Sequence, residues 1–403
     1  MVSYTSLDGF HKTTMSPQSY IQARKQRLEC VKVDERPYLA VQRVDVSDME
    51  SVRVTVARMF MGEEKWQSQC SKEATRALQV KRVQGGITNT LFYVSGLRSF
   101  QLCDYFPDGC LVRVFGAEGM IDRDVENCLY AALSKASLSP PYWGRFQNGR
   151  VEGWMNEMRP LQARELSNPV IAKGIAVATA RFHTTFAVPQ TVQDHLSSVS
   201  GNGNQEPSMW PQLQGWLQQA IKATFQTAND TKRAQELDLP QFEQELQWLR
   251  ESVIPVDAEA VFCHNDLLAA NVLYDDKDQR IQLIDFEYGA LNYRSFDIAN
   301  HFNEYAGGSE DGHTQYDWFP TAAQQTHFIS AYLTAAGDEK TPPTPKKIQE
   351  TTQEVQAFVL ANHLYWGIWA VNQAAVESCR EFDFLLYAGN RIGRYWECKK
   401  EWP

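Results

Sequence analysis

Three polar side chains in the second half of the chain have the types and spacing that phosphoryl transfer needs. Asp266 lies in the mostly apolar stretch VFCHNDLLAANVLY, Asn271 follows five residues later, and Asp285 follows a further fourteen residues on. Apolar residues on both sides predict short strands, and polar groups at strand ends can converge. One carboxylate can accept the proton of a hydroxyl group, while an amide oxygen and a second carboxylate hold Mg²⁺ against the phosphates of ATP. We therefore predict Asp266 as the base and Asn271 and Asp285 as the metal ligands.

An ordinary structural role is the alternative for each of these residues. A single aspartate such as Asp266 is most often a turn or cap residue, because its short carboxylate bonds to nearby backbone amides. A His-x-Asp sequence, an asparagine five residues later and Asp285 inside a strand-like IDF stretch are much rarer in combination. The full set therefore favours catalysis over a structural role.

The composition limits the class of protein. The 403 residues include 39 Lys and Arg against 49 Asp and Glu, a net charge of −10, and only short basic clusters, so nucleic acid is not expected as a partner. The first 30 residues contain no apolar signal segment, and no apolar run reaches the ~20 residues that a membrane-spanning helix needs. The eight cysteines form no CxxC pair. We therefore expect a cytoplasmic protein with reduced thiols and no transmembrane segment.

The pattern of elements changes near residue 158. Before it, short β-rich runs, a glycine turn at 85–89 and a helix at 122–136 predict a small antiparallel sheet. Residues 47–60 fit a helix capped by Ser47 or Asp48, and they also fit a strand. After residue 158 we predict helices at 169–186, 210–227, 239–252, 322–336 and 349–378, with short strands at 260–263 and 281–284.

Several motifs occur together and in order from about Gly85 to the C-terminus. They are GGITNTL (85–91), LVRVFG (111–116), IDRDVEN (121–127), CHNDLLAANVLY (263–274), IDFEYGALNYRSFDIANHFNEYAG (284–307) and LYWGIWAVNQA (364–374). Together they resemble the choline/ethanolamine kinase family. The resemblance implies an α+β, protein-kinase-like fold of two lobes. A small antiparallel β N-lobe at 41–157 would bind nucleotide, and a larger, mostly helical C-lobe at 158–403 would hold the acceptor, after an N-terminal extension at 1–40.

The resemblance also implies which residues bind the nucleotide. Arg113 takes the place of a phosphate-binding lysine on its strand, and Glu126 on the following helix would hold it. Taken alone, a Gly-Gly pair is an ordinary hairpin turn, and an Arg–Glu pair is commonly structural. The implied nucleotide-binding residues are Gly85, Gly86, Thr88, Asn89, Arg113, Glu126, Glu157 and Met158. ATP as co-substrate and Mg²⁺ complete this site.

Three histidine or aspartate residues are expected to support the catalytic residues. By analogy with the family, His264 belongs to the catalytic loop and braces it rather than accepting the proton. Asp297 would accept backbone amides of the same loop, or else it is an ordinary helix cap. His183 is predicted to be a buried structural histidine.

The acceptor pocket is predicted from aromatic residues. Trp366 and Trp369 are three residues apart on one helical face. Such a stripe is ordinarily core packing, but in the family that the motifs resemble the WGxW sequence lines the acceptor pocket. Aromatic faces attract a cation, and Glu304 would add a carboxylate. The residues that would bind the acceptor are Asp266, Tyr288, Glu304, Trp366, Trp369, Phe382, Phe384 and Tyr387.

The resemblance implies phosphorylation of the ethanolamine hydroxyl group by ATP, a step of phosphatidylethanolamine synthesis through CDP-ethanolamine. The HFNEYAG sequence at 301–307 resembles ethanolamine kinases, whereas choline kinases usually read HFCEW there. A choline kinase or a dual choline/ethanolamine kinase stays open as the alternative. A non-catalytic kinase-like binding module is less favoured, because it would be expected to lack a catalytic residue. A protein kinase is not expected, because IDFE replaces DFG and no APE segment is found. Analogy with the family also implies a homodimer.

Overall fold

The structure, a computed structural model, describes residues 37–62, 69–83, 89–100, 108–116, 123–190, 192–193, 206–337, 342–377, 379 and 382–403. The predicted phosphate-turn residues Gly85, Gly86 and Thr88 lie outside the described residues, as does most of the extension predicted at 1–40. The described residues form two compact units. The first unit holds those up to Glu157 together with 188–190 and 192–193, and the second unit holds those of 158–187 and 206–403.

Six strands form the sheet of the first unit. They are β1 (Tyr38–Leu39), β2 (Gln79–Val83), β3 (Asn89–Ser95), β4 (Gly109–Phe115), β5 (Tyr142–Phe146) and β6 (Gly149–Gly153). Their order is β1-β5-β6-β4-β3-β2. The pairing of β1 with β5 is parallel, and the other pairs are antiparallel. The antiparallel sheet that the sequence predicts for this part is therefore present.

Three helices accompany the sheet of the first unit: α1 (Met49–Met61), α2 (Gln69–Ala77) and α3 (Arg123–Lys135). The segment whose pattern fitted both a helix and a strand is α1. Asp48 caps it by accepting a hydrogen bond from the amide of Glu50 at 2.9 Å. Val52, Val56 and Met59 of α1 are buried in the core of the unit, at the spacing of one helical face.

Two small sheets in the second unit carry the predicted catalytic residues. Their strands are β7 (Met158–Pro160), β8 (Ala260–Cys263), β9 (Val272–Asp275), β10 (Ile281–Leu283) and β11 (Ala290–Tyr293). The first sheet has the order β10-β9-β7, and the second pairs β11 with β8. Val272 at the start of β9 lies opposite Leu283 at the end of β10. This antiparallel register brings Asn271, just before β9, to the same edge as Asp285, just after β10.

Helices make up most of the second unit, so the α+β class is confirmed. They are α4 (Pro169–Thr185), α5 (Met209–Ile221), α6 (Ala228–Gln235), α7 (Phe242–Trp248), α8 (Arg294–Asn303), α9 (Ala322–Ala336), α10 (Pro345–Glu377) and α11 (Phe384–Glu401). Among the described helices, none combines the length and the apolar character that a membrane span requires.

The helix predictions for the second unit need three corrections. The helix predicted at 210–227 ends at Ile221, and α6 is a separate helix that was not predicted. The helix predicted at 239–252 is shorter, because a 3₁₀ turn containing Pro240 precedes α7 and a π turn follows it. Helix α8 was not predicted, and neither was helix α11. Gly389 and Gly393 weaken its intrinsic helix propensity, and packing of its buried face stabilises it instead.

Candidate active site

Asn271 connects directly to the predicted base. Its side-chain nitrogen donates hydrogen bonds to the Asp266 carboxylate oxygen Oδ2 at 3.0 Å and to the Asp266 carbonyl oxygen at 2.9 Å. Its own carbonyl oxygen accepts the amide of Ile284 at 3.0 Å, which ties it to the residue before Asp285. The structure therefore brings the three predicted residues together. Among the described residues, nothing donates a hydrogen bond to the side-chain oxygen of Asn271, so this atom can bind a cation.

Negative charge accumulates around Asp266. Burial is the main cause that raises the pKa of Asp266 well above its usual range, and the charges of Glu304, Asp285 and Glu287 raise it further. A hydrogen bond from Asn271 acts in the opposite direction. Like charges held this close favour the protonated acid unless cations are bound. The arrangement therefore suits a site that takes up positive charge before it works.

Asp297 supports the backbone of the catalytic loop. It lies in the first turn of α8, and its two carboxylate oxygens accept the amides of His264 and Asn265, each at 2.6 Å. His183, which is buried, lies 3.0 Å from the same carboxylate through Nε2. Asn265 has a φ of 67°, a left-handed conformation that these two hydrogen bonds help to hold. Asp297 therefore accepts loop amides, as the family resemblance implied.

A group of possible metal ligands includes Asp297 but is already occupied by hydrogen bonds. Within the described part of the chain, donor atoms of His183, Cys263 and Asp297 lie within 4.8 Å of one another. The Cys263 thiol, however, donates to the Tyr293 carbonyl oxygen at 3.3 Å, and both Asp297 oxygens already accept loop amides. A metal ion here would have to replace these bonds, so the group is better described as part of the loop support.

His264 is positioned as a brace. Its Nε2 donates to the carbonyl oxygen of Ile284 at 2.8 Å, and its Nδ1 accepts the amide of Asp266 at 3.3 Å. Burial lowers the pKa of His264, more than the nearby charge of Asp297 raises it. A neutral ring in this tautomer connects the residue before Asp285 to Asp266. It has no lone pair left for the proton of a substrate.

Charged residues in the first unit form a buried network. The Nε of Arg113 donates to Glu152 at 2.8 Å. Arg150 donates to Glu152 at 2.6 Å and to Glu126 at 2.5 Å, and Arg123 donates to Glu126 at 2.7 Å. The predicted pairing of Arg113 with Glu126 is therefore wrong, because Glu126 bonds to Arg150 and Arg123.

The sheet register explains this exchange of partners. Arg113 on β4 lies directly opposite Arg150 on β6. Two neighbouring buried guanidinium groups need a carboxylate between them, and Glu152 lies two residues after Arg150 on the same face of β6. Burial favours the neutral form of Glu152, but the charges of Arg113 and Arg150 prevail and lower its pKa to about 2. Strand alternation in GRVEG (149–153) was the signal that could have identified Arg150 and Glu152.

The other predicted nucleotide-binding residues that the structure describes lie in three different environments. Asn89 begins β3, and its side-chain oxygen accepts from Arg123 at 3.3 Å. Glu157 is exposed and has a φ of 68°. Met158 begins β7, opposite Asp275 of β9. Their role with nucleotide stays a prediction.

All six predicted aromatic pocket residues form one continuous series of ring contacts. The distances between ring centroids run from 4.8 to 5.9 Å along the series Tyr288, Trp366, Trp369, Phe384, Phe382 and Tyr387. Trp369 also donates a hydrogen bond from its indole nitrogen to the Tyr288 hydroxyl at 3.1 Å. The two tryptophans come from α10, and Phe384 and Tyr387 come from α11.

Gly367, between the two tryptophans, allows α10 and α11 to approach. A Cβ atom at this position would lie only 3.0 Å from Ile392 and 3.4 Å from Arg391, both on α11. A larger residue would therefore require the side chains of Ile392 and Arg391 to shift. This gives a structural reason for a glycine inside the WGxW sequence.

Glu304 lies in a buried turn after α8, where it bonds to Arg391, a residue that no sequence motif indicated. Its Oε1 accepts a hydrogen bond from Arg391 Nη1 at 3.0 Å. The same nitrogen of Arg391 donates to the Tyr387 hydroxyl at 3.2 Å. Arg391 lies on the unpredicted helix α11, 87 residues from Glu304 along the chain, so no local pattern could indicate the pair.

Comparison with known proteins gives a consistent picture. The family model described as choline/ethanolamine kinase matches residues 80–396. A probable ethanolamine kinase of Arabidopsis thaliana is 35% identical over 326 residues, which cover 80% of this chain and 79% of that protein. Probable ethanolamine kinase A of Dictyostelium discoideum is 31% identical, over 80% of this chain and 86% of that protein.

Among solved structures, an ethanolamine kinase of Plasmodium vivax superposes with a TM-score of 0.70 over 98% of each chain. The sequence identity is 21%, so this likeness concerns the fold alone. The protein-kinase-like fold predicted from the motifs is thereby confirmed.

Proposed function

The chain belongs to the choline/ethanolamine kinase family, and we propose that it transfers the γ-phosphoryl group of ATP to the hydroxyl group of ethanolamine. The hydrogen bond of Asn271 to Asp266, among several carboxylates, is the main support for the catalytic and metal-binding roles that we assign. The hydroxyl oxygen attacks the γ-phosphorus atom, its proton passes to Asp266, and ADP leaves. The products are phosphoethanolamine and ADP.

Mg²⁺ fits the residues that we assign to it. Asn271 and Asp285 offer an amide and a carboxylate oxygen, which are donors that this ion prefers. Asn271 uses its side-chain nitrogen toward Asp266, and this orientation leaves its oxygen for a cation. When bound, the ion supplies positive charge that stabilises the transferring phosphoryl group. Positive charge beside Asp266 also lowers the pKa of this residue and favours the ionised base.

The acceptor is a small cationic alcohol, and we propose ethanolamine ahead of choline. A primary ammonium group donates three hydrogen bonds, which suits a pocket with carboxylates such as Glu304 and Glu287. Choline has no N–H group and depends on aromatic faces. The continuous aromatic series keeps choline as the second candidate, alone or together with ethanolamine.

The test of this function is a comparison of acceptors. ATP consumption is measured in the presence of Mg²⁺ with ethanolamine, its mono- and dimethyl derivatives, choline and an aminoglycoside. We expect kcat/KM to be highest for ethanolamine and to fall with each methyl group, because each removes a hydrogen-bond donor. The Asp266→Asn variant gives the background. A kcat/KM for choline well above that for ethanolamine would support the choline kinase alternative, and no turnover with any acceptor would support the non-catalytic module.

We also propose a reducing, cytoplasmic compartment for the protein. Cys110 and Cys263 are free thiols and are buried, which is usual for proteins that stay in a reducing compartment. The homodimer implied by the family stays a prediction.

A further inference from the structure

We propose that Arg391 is a positioning residue for the acceptor, which holds Glu304 and Tyr387 in the arrangement that receives the ammonium group. This inference rests on the proposed function and deepens it. Glu304 was selected from the sequence as the carboxylate that faces the cation, and Tyr387 as part of the aromatic wall. The structure adds the residue that connects them.

The guanidinium group of Arg391 is completely buried and uses its two terminal nitrogens fully. Nη1 bonds to Glu304 Oε1 at 3.0 Å and to the Tyr387 hydroxyl at 3.2 Å. Nη2 bonds to the side-chain oxygen of Asn362 at 2.6 Å and to its carbonyl oxygen at 3.3 Å. The Asn362 oxygen also accepts from Asn303, the neighbour of Glu304, at 2.9 Å. Because the planar guanidinium group makes these four hydrogen bonds, the side chains of Glu304 and Tyr387 have little freedom to rotate.

Arg391 also decides the charge of Glu304. Burial raises the pKa of Glu304, and the charge and hydrogen bond of Arg391 offset only part of this rise. Among the described residues, the other groups that interact with Glu304 do not replace this cation. These groups are Tyr316, Tyr387 and Asp266. Burial raises the pKa of both tyrosines, and Asp266 is an acid, so none of the three carries a positive charge.

His363 and Arg394 complete the set of titratable groups around Arg391. Burial lowers the pKa of His363 well below its usual range, and the charges of Arg391 and Arg394 lower it further, so its ring is neutral. Arg394 makes its own ion pair with Glu397 at 2.9 Å and lies over the Tyr316 ring. Arg391 is therefore the cation that favours the ionised form of Glu304.

The hydrogen bonding of Glu304 favours ethanolamine over choline as the acceptor. Arg391 occupies Oε1 of Glu304, and no hydrogen bond to Oε2 occurs within the described ranges of the chain. An oriented, ionised Oε2 can accept an N–H of a primary ammonium group, whereas choline has no N–H to offer. Loss of Arg391 should therefore weaken the binding of ethanolamine more than the binding of choline.

The experiment compares Arg391→Met with Arg391→Lys and with a control, Lys400→Met, at an exposed position on the same helix. We expect Arg391→Met to raise the KM for ethanolamine about tenfold or more, with the KM for ATP changed less than about twofold. Arg391→Lys should recover part of this loss because it keeps the charge. Lys400→Met should behave like the wild type.

The pH profile separates this role from a purely structural one. Without Arg391 the pKa of Glu304 is higher, so the KM of Arg391→Met for ethanolamine should fall as the pH rises from about 6 to 8.5. The wild type, in which Arg391 lowers the pKa of Glu304, should change less over this range. A Glu304→Gln, Arg391→Met double variant removes both buried charges and should lose the extra pH dependence. If Arg391→Met does not fold, the lysine and double variants carry the test.

Two results would overturn the inference. One is a KM for ethanolamine in Arg391→Lys and Arg391→Met that equals the wild-type value. The other is equal loss for ethanolamine and choline, with a pH profile parallel to that of the wild type. If the wild type itself does not turn over ethanolamine, the proposed function fails instead, so the two failures are distinguishable.

Discussion

Buried charges are arranged in opposite ways in the two units. In the first unit, the carboxylates of Glu152 and Glu126 alternate with three arginines, and each carboxylate bonds to two of them. In the second unit, Asp266 is surrounded by the charges of three other carboxylates. The pKa of Glu152 is lowered to about 2, whereas that of Asp266 is raised. Burial acts on both, so the sign of the neighbouring charges makes the difference.

The two clusters differ in whether their carboxylates already have cationic partners. Each carboxylate in the network around Glu152 bonds to two arginines, so these carboxylates need no cation from outside the protein. The cluster around Asp266 has an excess of negative charge, which Mg²⁺ and an ammonium group would balance under the proposed function. An unbalanced cluster of partly buried carboxylates is unfavourable for the free protein, and such clusters are typical of sites that a ligand completes.

The largest expected effect is on turnover. Asp266→Asn keeps the shape of the side chain but cannot accept the proton, so we expect kcat to fall by about 10³-fold. Steady-state kinetics with ethanolamine and saturating ATP measure this. The thermal midpoint should stay the same or rise, because a carboxylate is removed from among like charges. Turnover close to that of the wild type would remove Asp266 from the role of base.

A substitution in the network around Glu152 should instead lower the stability of the protein. Glu152→Gln leaves Arg113 and Arg150 buried without their shared carboxylate, and we expect the free energy of unfolding to fall by about 3–5 kcal/mol. Urea unfolding measures this loss. Glu50→Gln is the control, because its partnership with Arg53 is exposed and should contribute less than about 1 kcal/mol. Equal effects of the two substitutions would contradict the distinction between the units.

The smallest expected effect is on the pH dependence of stability, to which Glu152 in the first unit and Asp266 in the second unit should contribute with opposite signs. The pKa of Glu152 is lowered on folding, so its stabilisation is present above its ordinary value of 4.5 and is lost as the pH falls toward about 2. The pKa of Asp266 is raised, so without ligands the folded state gains stability as the pH falls from neutral toward the ordinary value of 3.8.

Urea unfolding of the ligand-free protein at steps between about pH 7 and 4 tests this sign. The wild type should become more stable relative to Asp266→Asn as the pH falls over that range. A constant difference between the two proteins would contradict the raised pKa of Asp266.

Much of the candidate site was predictable because its residues lie close together in the chain. Asp266 and Asn271 are part of one loop, and Asp285 follows one hairpin later, so short strands suffice to bring them together. Trp366 and Trp369 share a helical face by spacing alone. The partners of Arg113 were not predictable in this way, since they depend on which strand lies beside β4. Arg391 was missed for a similar reason, because its helix contains two glycines and forms through packing.

By itself, the sequence determined the chemistry of this protein. Residue types and local spacing predict a base and two metal ligands, and the family resemblance adds an aromatic pocket, because these depend on contacts within a loop, a hairpin or a helical turn. The tertiary structure alone decided how buried charges are paired, as with Arg113 and Glu152, or Arg391 and Glu304. A guanidinium group can bond to any carboxylate within reach, so its partner follows from the packing of distant segments and not from their order in the chain.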